Sequence, residues 1–287
     1  MTDETLPARV VNVGSINLNV IDTGEGPAAL LLHGFPDRAQ MWSHQIRDLR
    51  QAGYRVIAPD LRGYGDSDRP AEVEAYAMDH LVSDIHGLLA TLDVDTFRLA
   101  GHDWGATLGW ILASTWPDRV QQYAAISVGH PAAIAAAGFE QKQLTWYMLW
   151  FAFPGIAESQ LPQDDWQWYR DWAYDGARRT DDRELDRQLT DLARPGALTS
   201  AMNWYRANIP PELYALTSRG SDLAPVQCSV MGIWGDRDMA MTERQMMDSG
   251  GYVAGQWRYE RVHRVGHWVP TDAPARVSEL LLDFFGT

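Results

Sequence analysis

The sequence predicts an α/β protein with a mostly parallel β-sheet that is flanked by helices and interrupted by a helical insertion. Three observations lead to this prediction. Short apolar runs such as residues 28–32 are typical of parallel strands that are buried on both faces. Segments with helical periodicity alternate with these runs. Between about residues 131 and 225 only helical periodicity appears, and strand signals return after it.

Local patterns predict the individual elements. Residues 9–13 and 16–20 alternate apolar and polar side chains on either side of Gly14-Ser15, which predicts an opening hairpin. Short apolar runs predict further strands, and apolar side chains at helical spacing predict the helices between them. The further strands are predicted at residues 28–32, 55–59, 96–100, 122–128, 226–234 and 257–262, and helices outside the insertion at residues 41–52, 78–92, 107–115 and 274–285.

These elements divide the chain into two parts. We expect an α/β core formed by residues 1–131 and 226–287, with a helical cap formed by residues 132–225. A chain of 287 residues is long enough for one large core and such an insertion. Within the cap, the mixed-charge run from Arg178 to Asp191 is interpreted as the solvated face of a helix.

Composition and charge exclude several classes of function. The net charge of −14 argues against nucleic acid as a partner. We find neither a signal peptide nor an apolar run that could span a bilayer, so no membrane association is expected. The single cysteine, Cys228, precludes an internal disulfide and suits a cytoplasmic protein. The histidines lack zinc-ligand spacing, so no metal is expected. No other cofactor is expected either. A homodimer is left open.

The stretch Gly101-His102-Asp103-Trp104-Gly105 has the spacing of a nucleophile elbow, a sharp turn from a strand into a helix. Its central residue is Asp103 instead of serine. A carboxylate at a helix N-terminus stays ionised, because the backbone N–H groups there favour an anion. Asp103 would then attack an electrophilic carbon directly and form an alkyl ester. The alternative is that Asp103 only caps the helix.

Two later loops supply partners for this nucleophile. Asp236 and Asp238 follow one predicted strand, and His267 follows the next. The order nucleophile, acid, histidine is that of the α/β-hydrolases. In such a catalytic triad, His267 would deprotonate a water that attacks the ester, and Asp238 would orient the imidazole. Asp236 is an alternative acid, although adjacent turn acids usually cap the following helix.

The backbone N–H groups of Phe35 and Trp104 would form an oxyanion hole.

Taken together, several motifs resemble those of the epoxide hydrolases of the α/β-hydrolase fold. Four of them lie in the predicted core, namely residues 33–36, 60–68, 101–105 and 266–268. The resemblance continues into the cap, where residues 147–158 and 203–206 are similar to the segments that carry the two ring-opening tyrosines of the family. It implies that Tyr147 and Tyr205 assist the epoxide oxygen. The resemblance covers nearly the whole chain and is weakest from residue 159 to 199.

The resemblance implies a cofactor-independent enzyme that converts a small-molecule epoxide and water into a vicinal diol. Ring opening builds negative charge on the departing oxygen, and a phenol with a pKa of about 10 is a stronger acid than the alcohol that forms. The aromatic residues Phe35, Trp104, Trp146 and Trp150 indicate an apolar or aromatic substrate. The same side chains would also be suited to packing the cap onto the core.

Two kinds of alternative stay open. Haloalkane dehalogenases share the aspartate nucleophile and the tryptophan after it, but their halide needs N–H donors instead of a proton, and Phe35 stands where they commonly have asparagine. Haloacetate dehalogenases carry an arginine where Trp104 stands. A binding protein of the same fold is the other kind of alternative, because a fold does not by itself grant activity. Such a protein would be expected to lose the nucleophile, acid or base, and this sequence retains all three.

Overall fold

The computed structural model describes residues 6–174, 182–215 and 222–286. Eight strands of these residues form one sheet. They are β1 (Arg9–Asn12), β2 (Asn17–Thr23), β3 (Ala28–Leu32), β4 (Arg55–Pro59), β5 (Phe97–His102), β6 (Val120–Ile126), β7 (Ser229–Gly235) and β8 (Trp257–Val262). The order across the sheet is β1-β2-β4-β3-β5-β6-β7-β8. The pairs β1–β2 and β2–β4 are antiparallel, and all other neighbouring pairs are parallel.

Helices cover both faces of this sheet, and their apolar stripes form two cores. The helices are α1 (Ser43–Gln51), α2 (Met78–Thr91), α3 (Trp104–Thr115), α4 (Pro131–Ala136), α5 (Phe139–Leu144), α6 (Trp146–Phe151), α7 (Ile156–Gln160), α8 (Gln163–Tyr174), α9 (Asp182–Leu192), α10 (Ala197–Asn208), α11 (Pro211–Ala215), α12 (Glu243–Asp248), α13 (Val269–Asp272) and α14 (Pro274–Phe285). Helices α1 and α14 pack on one face through residues such as Leu49 and Leu281. Helices α2, α3 and α10 contribute to the core on the other face, through residues such as Leu88, Leu108 and Met202.

The predicted α/β fold is confirmed, with shifts at element ends. Helix α3 begins at Trp104, three residues before the predicted start, because the chain enters it directly from the turn at Asp103. Strand β7 begins at Ser229 instead of residue 226, since Val226 forms only an isolated bridge with Val253. The predicted bounds of β3, β4 and β8 are confirmed, and β3 and β4 are apolar runs of the kind that burial on both faces produces.

Helices α4 to α11 lie between β6 and β7 in the chain, and residues 131–174, 182–215 and 222–225 contain no strand. These inserted helices fit the predicted cap, and we keep the division into residues 132–225 and a two-part core as a proposal. None of the helices in the described part of the chain is long and apolar enough to cross a membrane.

One charged segment of the inserted helices differs from the prediction. Residues 178–181 of the run interpreted as a solvated face lie outside the described residues. On α9, however, Arg187 is only 16% exposed, and its guanidinium lies 2.6 Å from the fully buried carboxylate of Asp37. Gln188 donates to the same carboxylate at 2.9 and 3.0 Å. This part of α9 is therefore anchored on the loop after β3, a contact that a local charge pattern cannot reveal.

The substitution Arg187→Leu is expected to lower the free energy of unfolding by about 3 kcal/mol, because Asp37 would remain buried without its counter-charge. The matched control is Arg244→Leu, since Arg244 pairs with Asp248 on the surface at 3.3 Å, with side chains 67% and 50% exposed. In Arg244→Leu the free energy of unfolding should fall by less than about 0.5 kcal/mol. Chemical denaturation of both variants measures the difference, and equal losses would contradict a stabilising role for the Asp37 pair.

Candidate active site

The turn between β5 and α3 places Asp103 at the carboxyl edge of the sheet. Asp103 has φ 52° and ψ −120°, a strained conformation that costs a non-glycine residue about 1–3 kcal/mol. A Cβ atom at Gly101 would lie 2.3 Å from the carbonyl oxygen of Gly105, and one at Gly105 would lie 2.2 Å from that of Leu32. The chain can therefore pass this turn only with glycine at both positions.

Backbone N–H groups from two segments stabilise the carboxylate of Asp103. The Phe35 N–H donates to Oδ1 at 2.7 Å, and the Trp104 N–H is a second backbone donor to the carboxylate. A Cβ atom at Gly34 would lie 2.3 Å from the same Oδ1, so glycine is needed for this approach of the β3 loop. The two predicted oxyanion donors thus reach the carboxylate itself.

His267 lies between Asp103 and a second acid. Its Nε2 atom is 3.4 Å from Asp103 Oδ2, and its Nδ1 atom is 2.8 Å from Asp238 Oδ2. The Asp238 side chain is fully buried, and its other oxygen accepts the N–H groups of Ala240 and Met241 at 2.8 and 2.9 Å. The three residues predicted as a triad therefore form one continuous chain of contacts.

The alternative acid, Asp236, lies in a different environment. Its carboxylate is 3.0 Å from Nδ1 of His263 and accepts the Arg264 N–H at 2.6 Å. Asp236 is therefore engaged on the surface side of the loop, and Asp238 is the acid next to His267.

Two buried residues that the sequence did not single out hold the backbone of His267. The Ser127 hydroxyl donates to the His267 carbonyl at 2.6 Å, and His102 Nε2 is 2.9 Å from the same oxygen. Because a carbonyl only accepts, this nitrogen of His102 carries the proton. Burial, followed by the charge of His267, lowers the pKa of His102 to about 4, which keeps that ring neutral. In the sequence, the position of His102 next to Asp103 was the signal that could have identified it as a residue of the site.

The charges of the site are those of an ion pair. Burial acts to lower the pKa of His267, but the charge of Asp238 and the hydrogen bonds with Asp103 and Asp238 raise it to about 10. Burial acts to raise the pKa of Asp103, but the hydrogen bond and charge of His267 hold it below its ordinary value. At neutral pH the site therefore contains a carboxylate next to an imidazolium.

Two tyrosines from the inserted helices complete the buried site. The rings of Tyr147 on α6 and Tyr205 on α10 are 6.2 Å apart, and Tyr205 lies 5.1 Å from the ring of Trp104 and 6.0 Å from that of Phe35. Burial, followed by the charge of Asp103, raises the pKa of both hydroxyls well above the ordinary value. Both tyrosines thus keep their protons in the resting site.

Trp146 and Trp150, predicted to line the substrate site, are placed differently. On α6, Tyr147 and Phe151 face inward, whereas Trp146 and Trp150 share the other face, because residues four positions apart lie on one side of a helix. Trp146 is 46% exposed and stacks on Trp150 at 6.1 Å. Among the described residues, no ring contact joins either tryptophan to Phe35 or Trp104. Their role in substrate binding stays a prediction.

A carboxylate on a strand-to-helix turn, with a histidine and a second acid on later loops, defines a hydrolase site at the edge of a parallel sheet. The chain belongs to the α/β-hydrolase fold family, whose model matches residues 27–274. Within the described residues, no group of three or more His, Cys, Asp or Glu side chains is arranged to hold a metal ion.

Comparisons with known proteins agree with this assignment. The chain is 33% identical to AB hydrolase superfamily protein YfhM of Bacillus subtilis, with 96% of each chain covered. It is 31% identical to epoxide hydrolase A of Mycobacterium tuberculosis, again over 96% of each chain. A solved structure of novel epoxide hydrolases from metagenomes of hot environments matches with a TM-score of 0.88 and 28% identity, covering 98% of this chain and 99% of the other. The predicted family resemblance is confirmed.

The substitution Asp103→Asn is expected to lower the pKa of His267, because the charge and hydrogen bond of Asp103 both raise it. An NMR titration of the His267 imidazole measures this change. The control is Asp236→Asn, which removes a carboxylate that contacts His263 and should leave the His267 titration unchanged. An unchanged pKa of His267 in Asp103→Asn would contradict the ion pair.

The same shift determines how stability depends on pH. In the folded protein the pKa of His267 is about 10, above the value of about 6.5 expected for the unfolded chain. The contribution of the imidazolium to stability is therefore fully present below about pH 6.5 and is lost as the pH rises towards 10. Denaturation curves across this window should show a smaller loss for Asp103→Asn than for the wild type.

Proposed function

We propose that the protein is an epoxide hydrolase that forms a vicinal diol through an alkyl ester on Asp103. The observation that carries the proposal is the buried pair Tyr147 and Tyr205 beside an ionised carboxylate. Similarity to named epoxide hydrolases over nearly the whole chain supports it. The described residues supply a nucleophile, an acid and a base for such a reaction, and the second substrate is water.

In the first step, Asp103 Oδ2 attacks one carbon of the epoxide. The ring C–O bond breaks and its electron pair passes to the oxygen, which takes a proton from Tyr147 or Tyr205. Oδ1, held by the Phe35 N–H, becomes the carbonyl oxygen of the ester. Burial and the charge of Asp103 raise the pKa of the phenols at rest. Formation of the ester removes the charge of Asp103. One of the two causes of the raised phenol pKa is therefore absent when a phenol has to donate its proton.

A proton must then move before water can attack. The resting His267 is an imidazolium and has to become neutral to act as a base, whereas the tyrosinate has to regain a proton. Loss of the Asp103 charge and hydrogen bond removes two of the causes that raise the pKa of His267. The proton released by His267 therefore balances the proton that the tyrosine gave to the epoxide oxygen.

The second step regenerates the enzyme. Neutral His267 takes a proton from water, whose oxygen attacks the ester carbonyl carbon, and Asp238 stabilises the new imidazolium. The N–H groups of Phe35 and Trp104 stabilise the oxyanion, which is worth about 3 kcal/mol for one such donor. When the ester C–O bond breaks, the departing oxygen takes the second proton of that water. The diol leaves, and the carboxylate and imidazolium are restored.

The double substitution Tyr147→Phe with Tyr205→Phe is expected to abolish diol formation, because no phenol would remain to protonate the departing oxygen. We would incubate wild type and variant with aryl epoxides and with chloro- and bromoalkanes, measuring diol by chromatography and halide by titration. Diol without halide from the wild type supports the proposal. Halide without diol would replace it by a dehalogenase, and full diol formation by the variant would remove the tyrosines from the mechanism.

His267→Gln is expected to accumulate the ester, because alkylation needs the carboxylate and a tyrosine proton, whereas hydrolysis also needs the base. Mass spectrometry of the intact variant should show an increase equal to one substrate, located on a peptide that contains Asp103. The paired control, His267→Gln with Asp103→Asn, should show no increase. An unmodified His267→Gln protein after incubation with a substrate of the wild type would argue against the ester.

A further inference from the structure

The outer face of the inserted helices carries a pocket that the proposed reaction does not use. It has a volume of about 350 Å³. Its lining consists of Trp146, Trp150, Trp168, Asp171 and Trp172, which we call the outer tryptophan pocket. Trp146 and Trp168 are 46% and 58% exposed, although exposing so much aromatic surface is unfavourable. A feature of this kind often marks a binding site.

The rings of this pocket are arranged to accept another flat ring. Trp146 and Trp150 lie 6.1 Å apart with an angle of 22° between their planes, and Trp150 and Trp168 lie 5.8 Å apart at 40°. These separations fall within the range of about 4.5–7 Å that aromatic pairs prefer. An aromatic ligand would therefore extend a stack that already exists.

Asp171 is the charged member of the lining. Its Oδ1 atom accepts a hydrogen bond from Gln167 at 2.6 Å, so one oxygen is already engaged while the side chain stays exposed. A carboxylate at the rim of an aromatic pocket disfavours an anionic ligand, and the net charge of −14 acts in the same direction. The pocket therefore disfavours anionic rings, and the aryl epoxides and diols of the proposed reaction, which carry no charge, meet no repulsion there.

Trp172 lies between this pocket and Tyr147. Trp172 lines the pocket and also contacts Tyr147, with ring centroids 4.5 Å apart. It packs against Phe151 and Tyr169, each at 5.8 Å. Its indole nitrogen has no hydrogen-bond partner among the described residues. Within the described part of the chain, Trp172 is therefore positioned by ring packing and not by a hydrogen bond of its indole nitrogen.

We propose that the outer tryptophan pocket binds the neutral aromatic ring of a substrate or product before entry to, or after exit from, the catalytic site, with Trp172 as the divider. The binding part of this inference stands by itself. The kinetic part rests on the proposed function and narrows the substrate class to neutral aryl epoxides.

Binding is tested by equilibrium dialysis with 1-phenylethane-1,2-diol, an aryl diol that needs no turnover. The wild type should bind more than one molecule per chain, and Trp150→Leu with Trp168→Leu should lose the additional molecule. The control is Phe139→Leu, which removes a 75% exposed aromatic ring of α5 outside the pocket. The carboxylated analogue 4-(1,2-dihydroxyethyl)benzoate should not occupy the pocket unless Asp171→Asn is introduced. Equal binding by wild type and double variant would overturn the proposal, as would an equal loss in the control.

Kinetics test the link to catalysis. The ratio of the KM for styrene oxide to the KM for 1,2-epoxyhexane should rise about three- to tenfold in Trp168→Leu. A change of this size is expected when the contact between one pair of aromatic rings is lost. The ratio should not change in Phe139→Leu. An unchanged ratio in Trp168→Leu would separate the pocket from substrate selection. If the wild type hydrolyses neither epoxide, the proposed function fails, and the dialysis result still decides whether the pocket binds aryl diols.

Discussion

The site depends on keeping one negative charge inside the protein, on the carboxylate of Asp103. A buried charge is stable only when donors or an opposite charge compensate it. Here the N–H groups of Phe35 and Trp104 and the imidazolium of His267 provide that compensation. The strained backbone at Asp103 and the glycines around it are needed because these groups approach from three separate segments of chain.

The sequence predicted those parts of the fold and site that leave a local signature. The parallel strands appear as apolar runs, and the turn at Asp103 needs glycines whose spacing is visible without a structure. The sequence favoured Asp238 over Asp236 by a general rule for turn acids, and the contacts of the structure separate the two directly. The orientation of Trp146 was missed because the register of a six-residue helix is not fixed by pattern alone.

Contacts between distant segments were the other feature that could not be predicted from the sequence. Arg187 and Asp37 are 150 residues apart, and the charges around Arg187 suggested only a solvated surface. In the structure this pair ties α9 to the loop that also carries Phe35, two residues before Asp37. The position of an inserted helix and the position of an oxyanion donor are therefore linked through one buried carboxylate. The predicted cytoplasmic location and a homodimer stay predictions.

The inserted helices leave the sheet after β6 and return to it at β7, and these two strands are direct parallel neighbours. An insertion between adjacent strands changes neither their order nor their register, whatever its length or sequence. The nucleophile, acid and base on the core can thus stay constant while the inserted helices change, apart from positions such as Tyr147, Tyr205 and Arg187 that serve the site. This architecture lets evolution alter which molecules are accepted without reinventing the chemistry.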